Sequence, residues 1–326
     1  MNLRYPIYFV HRGLSKWPEL IGATQWIDPE SCPQRFMVGH DIWTIQAFLR
    51  LKRRGNAVHL AAEFVPGQIN VVYYDDLLLK ARPDRAFIVA IAPDRPRPAA
   101  CDLRIVQNKL QVRTSKDYFV VHWPQPGLRR RDPSRNTLHR LGYLGLAVYL
   151  SKAFQDDAFR RRLAELDIEL VIREKDWTDC SDLDAILAVR QVSPFDLTIK
   201  PASKLINAWR AGCPALLGAE PAYQEMRTSP LDYFEVHSPD DALAALGRLR
   251  DEPGLMDRMI ASGRRRAEEF SADNIAGCWE SLLAGPVSDA YERWQREPTL
   301  LRTIRFAFRS LEHKRQRRRF FKLIKT

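Results

Sequence analysis

The sequence predicts an α/β protein in which short parallel strands alternate with covering helices, repeated over two domains. Three observations carry that prediction. Apolar runs of strand length alternate with turn-rich stretches and with segments of helical period. The alternation restarts after a break at residues 122–136, HWPQPGLRRRDPSRN, whose proline, arginine and turn residues suit an interdomain connection. The chain of 326 residues, 45% apolar, is long enough for two cores of ordinary size.

In order, residues 5–10 read as the first strand and 43–54 as an amphipathic helix with Ile45, Phe48, Leu49 and Leu51 inward. A basic last turn and Gly55 end that helix. Strands follow at residues 57–64, 69–74, 87–91, 103–107 and 118–122. After the break come a strand at 140–144, a helix at 146–166 and a strand at 168–173. The expected domains are 1–133, 134–285 and a helical C-terminal region, 286–326. No internal repeat is visible.

Residues 197–218, LTIKPASKLINAWRAGCPALLG, read as a compact strand, loop, helix and strand. An apolar strand at 197–199 is stopped by Pro201, Ser203 caps the helix bearing Leu205, Ile206 and Trp209, and Gly212 with Pro214 closes it before a buried strand at 215–217. Lys200 and Lys204 flank the helix N-terminus, whose unsatisfied N–H groups suit an anion such as a diphosphate. The plain alternative is an ordinary strand-to-helix turn with solvated lysines.

That segment resembles the nucleotide-sugar-binding region of GT-B glycosyltransferases through Lys200, Pro201, Ser203, Lys204, Ala211, Gly212 and Pro214. The resemblance looks closest to bacterial enzymes of surface polysaccharide synthesis, which often read Lys-Pro-x-x-Lys-Leu here; it is specific over 200–214 and weak elsewhere. It implies two Rossmann-like domains facing across a cleft, the N-terminal one on the acceptor side and the second holding the donor, in a hexosyltransferase-like enzyme. Where the large retaining branch carries two glutamates, this chain has Ile199 and Asn207, so Asn207 is the expected ribose partner and the stereochemistry stays open. The resemblance also implies transfer without a metal or cofactor, the nucleotide sugar being a substrate and the acceptor a glycan or a lipid-linked one.

Other residues join the expected donor site. Arg190 ends an expected helix at 183–189 and supplies a second cation against the departing diphosphate. Gly145, after the strand at 140–144, permits close backbone approach to the donor, with simple turn geometry as its plain reading. Asp179, Asp182 and Asp184 read either as a metal cluster or as helix-start residues, with Ser181 or Asp182 capping the 183–189 helix as the favoured reading. The base that takes the acceptor's proton is expected at the carboxyl ends of the first domain's strands, from Asp41, His40 or His11, with Glu63 and Asp94 behind them.

Several classes are excluded or disfavoured. No Gly-x-Gly-x-x-Gly and no Walker phosphate loop occurs, although Gly142 and Gly145 follow a strand. Five scattered cysteines without ligand spacing argue for thiols in a reducing compartment, and no run suits a signal or a membrane span, so a cytoplasmic protein is expected. Residues 298–326 carry ten of the 51 Lys and Arg residues but one of the 40 acids, so +9 of the net +11 lies there. Leu301, Ile304, Phe308 and Leu311 line one helical side, Arg302, Arg305 and Arg309 another, and Phe320, Phe321, Leu323 and Ile324 end the tail. This pattern suits an anionic membrane surface, the inner face of the plasma membrane, rather than specific nucleic acid. A returning helix that buries its apolar stripe is the competing expectation. The functional expectation is a metal-independent glycosyltransferase; its alternative is a catalytically inactive GT-B-like scaffold recruiting a polysaccharide-assembly complex to the membrane.

Overall fold

A computed structural model describes residues 3–21 and 26–323. The chain divides into two compact units: the residues up to Trp123 with those from Ala272 onward, and Pro124–Ser271. The first contains six parallel strands, β1 (Ile7–Val10), β2 (Val58–Ala61), β3 (Ile69–Tyr73), β4 (Phe87–Ile91), β5 (Leu103–Val106) and β6 (Asp117–Phe119), in the order β2-β1-β3-β4-β5-β6. β3 and β4, INVVY and FIVAI, are buried at every residue, as central parallel strands covered on both faces must be. The strand order reverses between β1 and β3. The expected helix at 43–54 begins earlier, with a π-helical turn at Asp41–Gln46 that runs into α1 (Ala47–Arg53), and the chain turns away at Gly55, φ 79°. Asp41 is therefore the first residue of that turn, and His40, in the N-cap position, makes no side-chain capping bond.

The second unit holds five parallel strands, β7 (Arg140–Leu144), β8 (Glu169–Arg173), β9 (Ala185–Ala188), β10 (Ala215–Leu217) and β11 (Phe234–Glu235), ordered β11-β10-β9-β7-β8. Its helices are α2 (Asp157–Glu165), α3 (Pro194–Leu197), α4 (Ser203–Ala211), α5 (Pro221–Met226), α6 (Pro239–Asp251) and α7 (Leu255–Glu269). Three expectations change here. The helix expected at 146–166 is two 3₁₀ turns followed by α2, because Asp156 caps the helix through the Phe159 N–H. The helix expected at 183–189 is β9, a fully buried central strand; a short apolar run between polar turns has no period that separates the two. The strand expected at 197–199 belongs to α3 and its exit, held by a capping box between Ser193 and Asp196.

The C-terminal helices α8 (Ala272–Leu282), α9 (Ser288–Arg296) and α10 (Thr299–Leu323) return to the first unit, with a π-helical turn carrying Pro286 between α8 and α9. Trp279 of α8 is fully buried, with ring centroids 5.9 Å from Phe9, 6.3 Å from Trp43 and 6.4 Å from Trp123. Glu280 accepts from Arg54 Nε at 2.9 Å and from Asn56 Nδ2 at 2.7 Å. These contacts place the unit boundaries at 123/124 and 271/272, whereas the sequence suggested 133/134 and 285/286. Residues 129–132 instead bond to the second unit, Arg129 N–H to Thr178 and Arg131 N–H to Ala211. Cys101, Cys180 and Cys213 are buried, Cys32 is half-buried and Cys278 exposed, all as free thiols. Among the described residues no helix is long and apolar enough to cross a membrane.

The aspartate cluster is arginine-bound rather than a set of helix caps. Asp179 accepts from Arg129 at 2.8 Å and Asp182 from Arg173 at 2.6 Å. Asp184 is fully buried at the start of β9, accepting from Arg131 at 3.2 Å, Arg135 at 2.7 Å and the backbone N–H groups of His139 and Arg140 at 2.9 Å. Desolvation opposes its ionisation, but the Arg135 guanidinium and those two amides outweigh it and hold its pKa below the usual carboxylate value. That stabilisation is present above the unfolded-state pKa of about 3.9 and is lost as pH falls through the lower folded-state value. Asp184→Ala strands buried Arg131, and the expected outcome is a loss of about 3–5 kcal/mol of unfolding free energy by urea titration at neutral pH. A loss within error of zero would remove the cluster from the account of this unit's stability.

Candidate functional site

In the second unit the expected donor residues gather where the strand order reverses, at the carboxyl ends of β7, β9 and β10. Gly145 follows β7 with φ 147°, a conformation side-chain-bearing residues rarely adopt, and a Cβ there would lie 3.2 Å from Lys204 Nζ. Lys204, in the first turn of α4, donates its ammonium to the Leu144 carbonyl and lies 4.9 Å from the Tyr143 ring centroid. Burial, then the positive charge of Arg190, lowers its pKa to about 7, with Lys200 adding to the shift and Glu220 opposing it. Arg190 lies just beyond β9, at a strand end and not a helix end. Its guanidinium forks onto Glu220, Nε to Oε1 at 2.8 Å, and donates to Tyr223 Oη at 3.0 Å.

Ser203 is the first residue of α4 and not its cap; Ala202 holds the N-cap position and no side chain caps the helix. The start of α4 thus presents backbone N–H groups beside Lys200 and Lys204, an anion-binding arrangement. Asn207 lies a turn further on, where Oδ1 accepts from the Gln125 N–H at 3.3 Å while Arg210 donates to the Gln125 carbonyl at 2.9 Å. The structure therefore brings Gly145, Arg190, Lys200, Ser203 and Lys204 to one edge and gives Asn207 a role in holding residue 125. Glu220, Tyr143 and Tyr223 complete the site and were not singled out in the sequence. Glu-Pro three residues past β10, with Glu220 as the N-cap residue of α5 and proline at its first position, was the available signal for Glu220.

In the first unit the three candidate bases form one cluster at the other reversal, between β1 and β3. His11 follows β1 and is 1% exposed; its Nε2 lies 2.8 Å from Asp41 Oδ1, which also accepts from Trp17 Nε1 at 3.2 Å. His40 Nε2 is 3.9 Å from Asp41 Oδ2, too far for a hydrogen bond but within reach of ion pairing when the imidazole is protonated. The His40 ring meets those of His11 and Tyr73 edge-on, centroids 5.2 Å and 6.0 Å apart. The backbone passes close to both rings: a Cβ on Gly39 would sit 2.4 Å from Tyr73 Oη, and one on Gly13 3.0 Å from His11 Cε1. With His11 buried and His40 36% exposed at its side chain, His40 is the accessible imidazole and His11 a support for Asp41. Ligand atoms of His11, His40 and Asp41 lie within 4.8 Å of one another, so among the described residues this is the cluster with the donor set for a metal ion. Glu63 is forked by Arg12 at 2.7 and 2.8 Å, and Asp94 accepts from Gln107 at 3.0 Å. A separate cavity of about 920 Å³ in the second unit opens at the amino ends of β7 and β8, lined by Arg135, His139, Leu166, Met256 and Arg264, and holds none of these groups.

No protein-family model matches the chain, and no curated protein does. Solved structures match its fold. Sucrose-phosphate synthase from Thermosynechococcus elongatus aligns over 88% of this chain and 100% of its own, with a TM-score of 0.57 at 10% identity. HepE from Anabaena, in complex with UDP and glucose, aligns over 86% and 99%, with a TM-score of 0.54 at 10% identity. This is the fold of the GT-B glycosyltransferases. TarM shares the GT-B fold at a TM-score of 0.51 and 8% identity, matched over 66% of this chain but 54% of its own length. The chain likewise spans little more than half, 57%, of the matched chain in the GtfA/B complex, at 11% identity and a TM-score of 0.46. Within the GT-B fold both clusters lie where parallel sheets open to ligands. Gly145→Ala forces a strained backbone at the second-unit cluster, with an expected loss of about 1–3 kcal/mol in denaturant titration. A variant as stable as the parent would show that this turn relaxes without cost.

Proposed function

We propose that the chain transfers a sugar from a nucleotide diphosphate donor to a glycan or lipid-linked acceptor. The observation that carries this reading is the convergence of Lys200, Lys204 and Arg190 on the uncapped start of α4 at the sheet's reversal point. Lys200, Lys204 and Arg190 give the helix start a basic setting that suits a diphosphate. HepE, whose fold the chain shares, was solved with UDP-glucose, a donor of this class. During transfer, negative charge builds on the departing nucleotide, and the start of α4 with Lys204 stabilises it without reorganising. Lys204 is poised for this: an arriving diphosphate offsets the repulsion from Arg190 and Lys200 and restores its proton. Arg190, held by Glu220 and Tyr223, acts from a fixed position.

In the first unit His40 takes the proton from the acceptor hydroxyl, Asp41 stabilises the resulting imidazolium, and His11 with Trp17 fixes Asp41. No cofactor or metal enters this scheme. Asn207, engaged with residue 125 and standing where the resemblance puts a glutamate, favours the second reading, a catalytically inactive scaffold that recruits a polysaccharide-assembly complex to the membrane.

Thermal-shift titration with UDP, GDP, CMP and dTDP tests the donor site, since only a bound ligand raises the melting temperature, and sugar turnover then separates enzyme from scaffold. On the enzyme reading, Lys200→Ala and Lys204→Ala each weaken binding of the preferred nucleotide by about 1–3 kcal/mol in calorimetry. Unchanged affinity in both would end the donor-site assignment.

The depressed pKa of Lys204 sets a pH dependence. Below about pH 7 the free protein already carries the ammonium; above it, binding must take up a proton, because the bound diphosphate raises the pKa again. Affinity for a nucleotide sugar is therefore expected to be flat below pH 7 and to fall by up to about tenfold per pH unit above it. Lys204→Gln should flatten that slope; a slope retained in the variant assigns it elsewhere.

His40→Ala is expected to lower turnover about 10²- to 10⁴-fold with little change in nucleotide affinity, while a chelator leaves the parent's turnover intact. Loss of turnover on chelation, reversed by a divalent ion, would instead make His11, His40 and Asp41 metal ligands.

A further inference from the structure

Helix α10 returns to the first unit, but with the opposite face from the one its apolar stripe suggests. Arg309 donates to Asp102 at 2.8 Å, Arg305 pairs with Glu297, and the Arg302 guanidinium sits 4.1 Å from the Trp294 ring centroid. His313 packs 5.3 Å from the Tyr74 ring and is buried, as is Phe320. The arginines expected to attract lipid, Arg302, Arg305 and Arg309, are thus the ones that dock the helix. Leu301, Ile304, Phe308 and Leu311 remain 51%, 46%, 70% and 55% exposed. Continuing their alternating three- and four-residue spacing, the same outward line runs on through Arg315, Arg318 and Lys322, all exposed. One helix face is therefore apolar along its first half and cationic along its second. The helix's only acid, Glu312, is half-buried and bonded to Gln316 at 3.0 Å.

We propose that this outward face of α10 docks on an anionic lipid bilayer. Leu301, Ile304, Phe308 and Leu311 enter the boundary between headgroups and acyl chains, and Arg315, Arg318 and Lys322 lie on the headgroup phosphates. A bilayer surface offers both environments side by side along a helix lying in its plane. A second copy of the chain fits less well: antiparallel pairing sets leucines against arginines, and parallel pairing sets cation against cation. Nucleic acid would leave the apolar half unexplained. Docking by Arg302, Arg305 and Arg309 holds the face outward before any lipid arrives, so little ordering is required on binding. The inference is independent of the nucleotide reading, because vesicle binding involves neither cluster of the candidate site.

The test is sedimentation of the full chain with phosphatidylcholine vesicles containing phosphatidylglycerol, against vesicles of phosphatidylcholine alone, at low and high salt. Removing α10 would expose Trp294 and Tyr74, so point substitutions on its outward face are used. The parent is expected to bind anionic vesicles, more weakly at high salt, and neutral vesicles poorly. Ile304→Asp with Phe308→Asp should lower partitioning about tenfold or more, with an unchanged melting temperature because both side chains are exposed. Arg315→Glu with Arg318→Glu should abolish the preference for anionic vesicles. The proposal is overturned if the parent fails to bind anionic vesicles or if either double variant binds as the parent does. A parent dimer in light scattering that Ile304→Asp with Phe308→Asp dissociates, without vesicle binding, would assign the face to a second copy instead.

Discussion

Parallel strand pairing obliges every strand of a sheet to end on the same edge, and most of what is distinctive here follows from that constraint. In each sheet the chain leaves the central strand to one side and then returns to the other, through β1 to β2 and then β3, and through β7 to β8 and then β9. The two neighbouring strands then have their following loops drawn apart, and the gap left at their carboxyl ends is lined by the residues just beyond them. His11 and Tyr73 occupy that position in the first unit; Gly145 and Arg190 occupy it in the second. The helices that follow bring their first turns to the same edge, which adds Asp41 in one unit and Lys204 in the other. Site chemistry and fold therefore share one cause.

The two clusters solve opposite electrostatic problems. Around Lys204 the protein gathers basic side chains in a desolvated place, with Glu220 forked onto Arg190, the Leu144 carbonyl accepting from Lys204, and two tyrosine rings beside them. Gathering like charges out of water is what pushes the Lys204 ammonium toward its neutral form. Around Asp41 a carboxylate is satisfied on one oxygen by Trp17 and His11, while the other faces His40. That asymmetry fixes the carboxylate and turns its other oxygen toward the more exposed imidazole.

How much of this was legible depended on whether a local pattern had one structural meaning. β4, β7 and β10 fall on the runs read from sequence because each is a short, largely apolar run whose neighbouring glycine, proline or turn residues leave no room for a helix. β9 was read as a helix because Ala-Ile-Leu-Ala is equally apolar in both periods, and its burial comes from flanking strands that no local pattern reveals. Ser203 looked like a cap because serine favours that position, yet it is already the first helical residue and Ala202 holds the cap position. His11, His40 and Asp41 were each chosen for lying near a strand end or a helix start; that they form a single cluster is a tertiary fact. Glu220 escaped notice because its partner, Arg190, is 30 residues away.

The return of α8 to the first unit has a consequence for the order in which this chain can assemble. Trp279, which fills the space among Phe9, Trp43 and Trp123, and Glu280, which meets Arg54 226 residues earlier, are both made after the whole of the second unit. As the chain leaves the ribosome, the N-terminal sheet emerges first but lacks part of its own interior. The second unit, continuous in sequence and supplied with all its strands, is free to fold ahead of it. Contacts of such sequence separation are slow to form, because the entropy of closing the intervening loop precedes any gain from packing. Biosynthesis should thus run inside out: the middle of the gene folds first, and its two ends wait for each other.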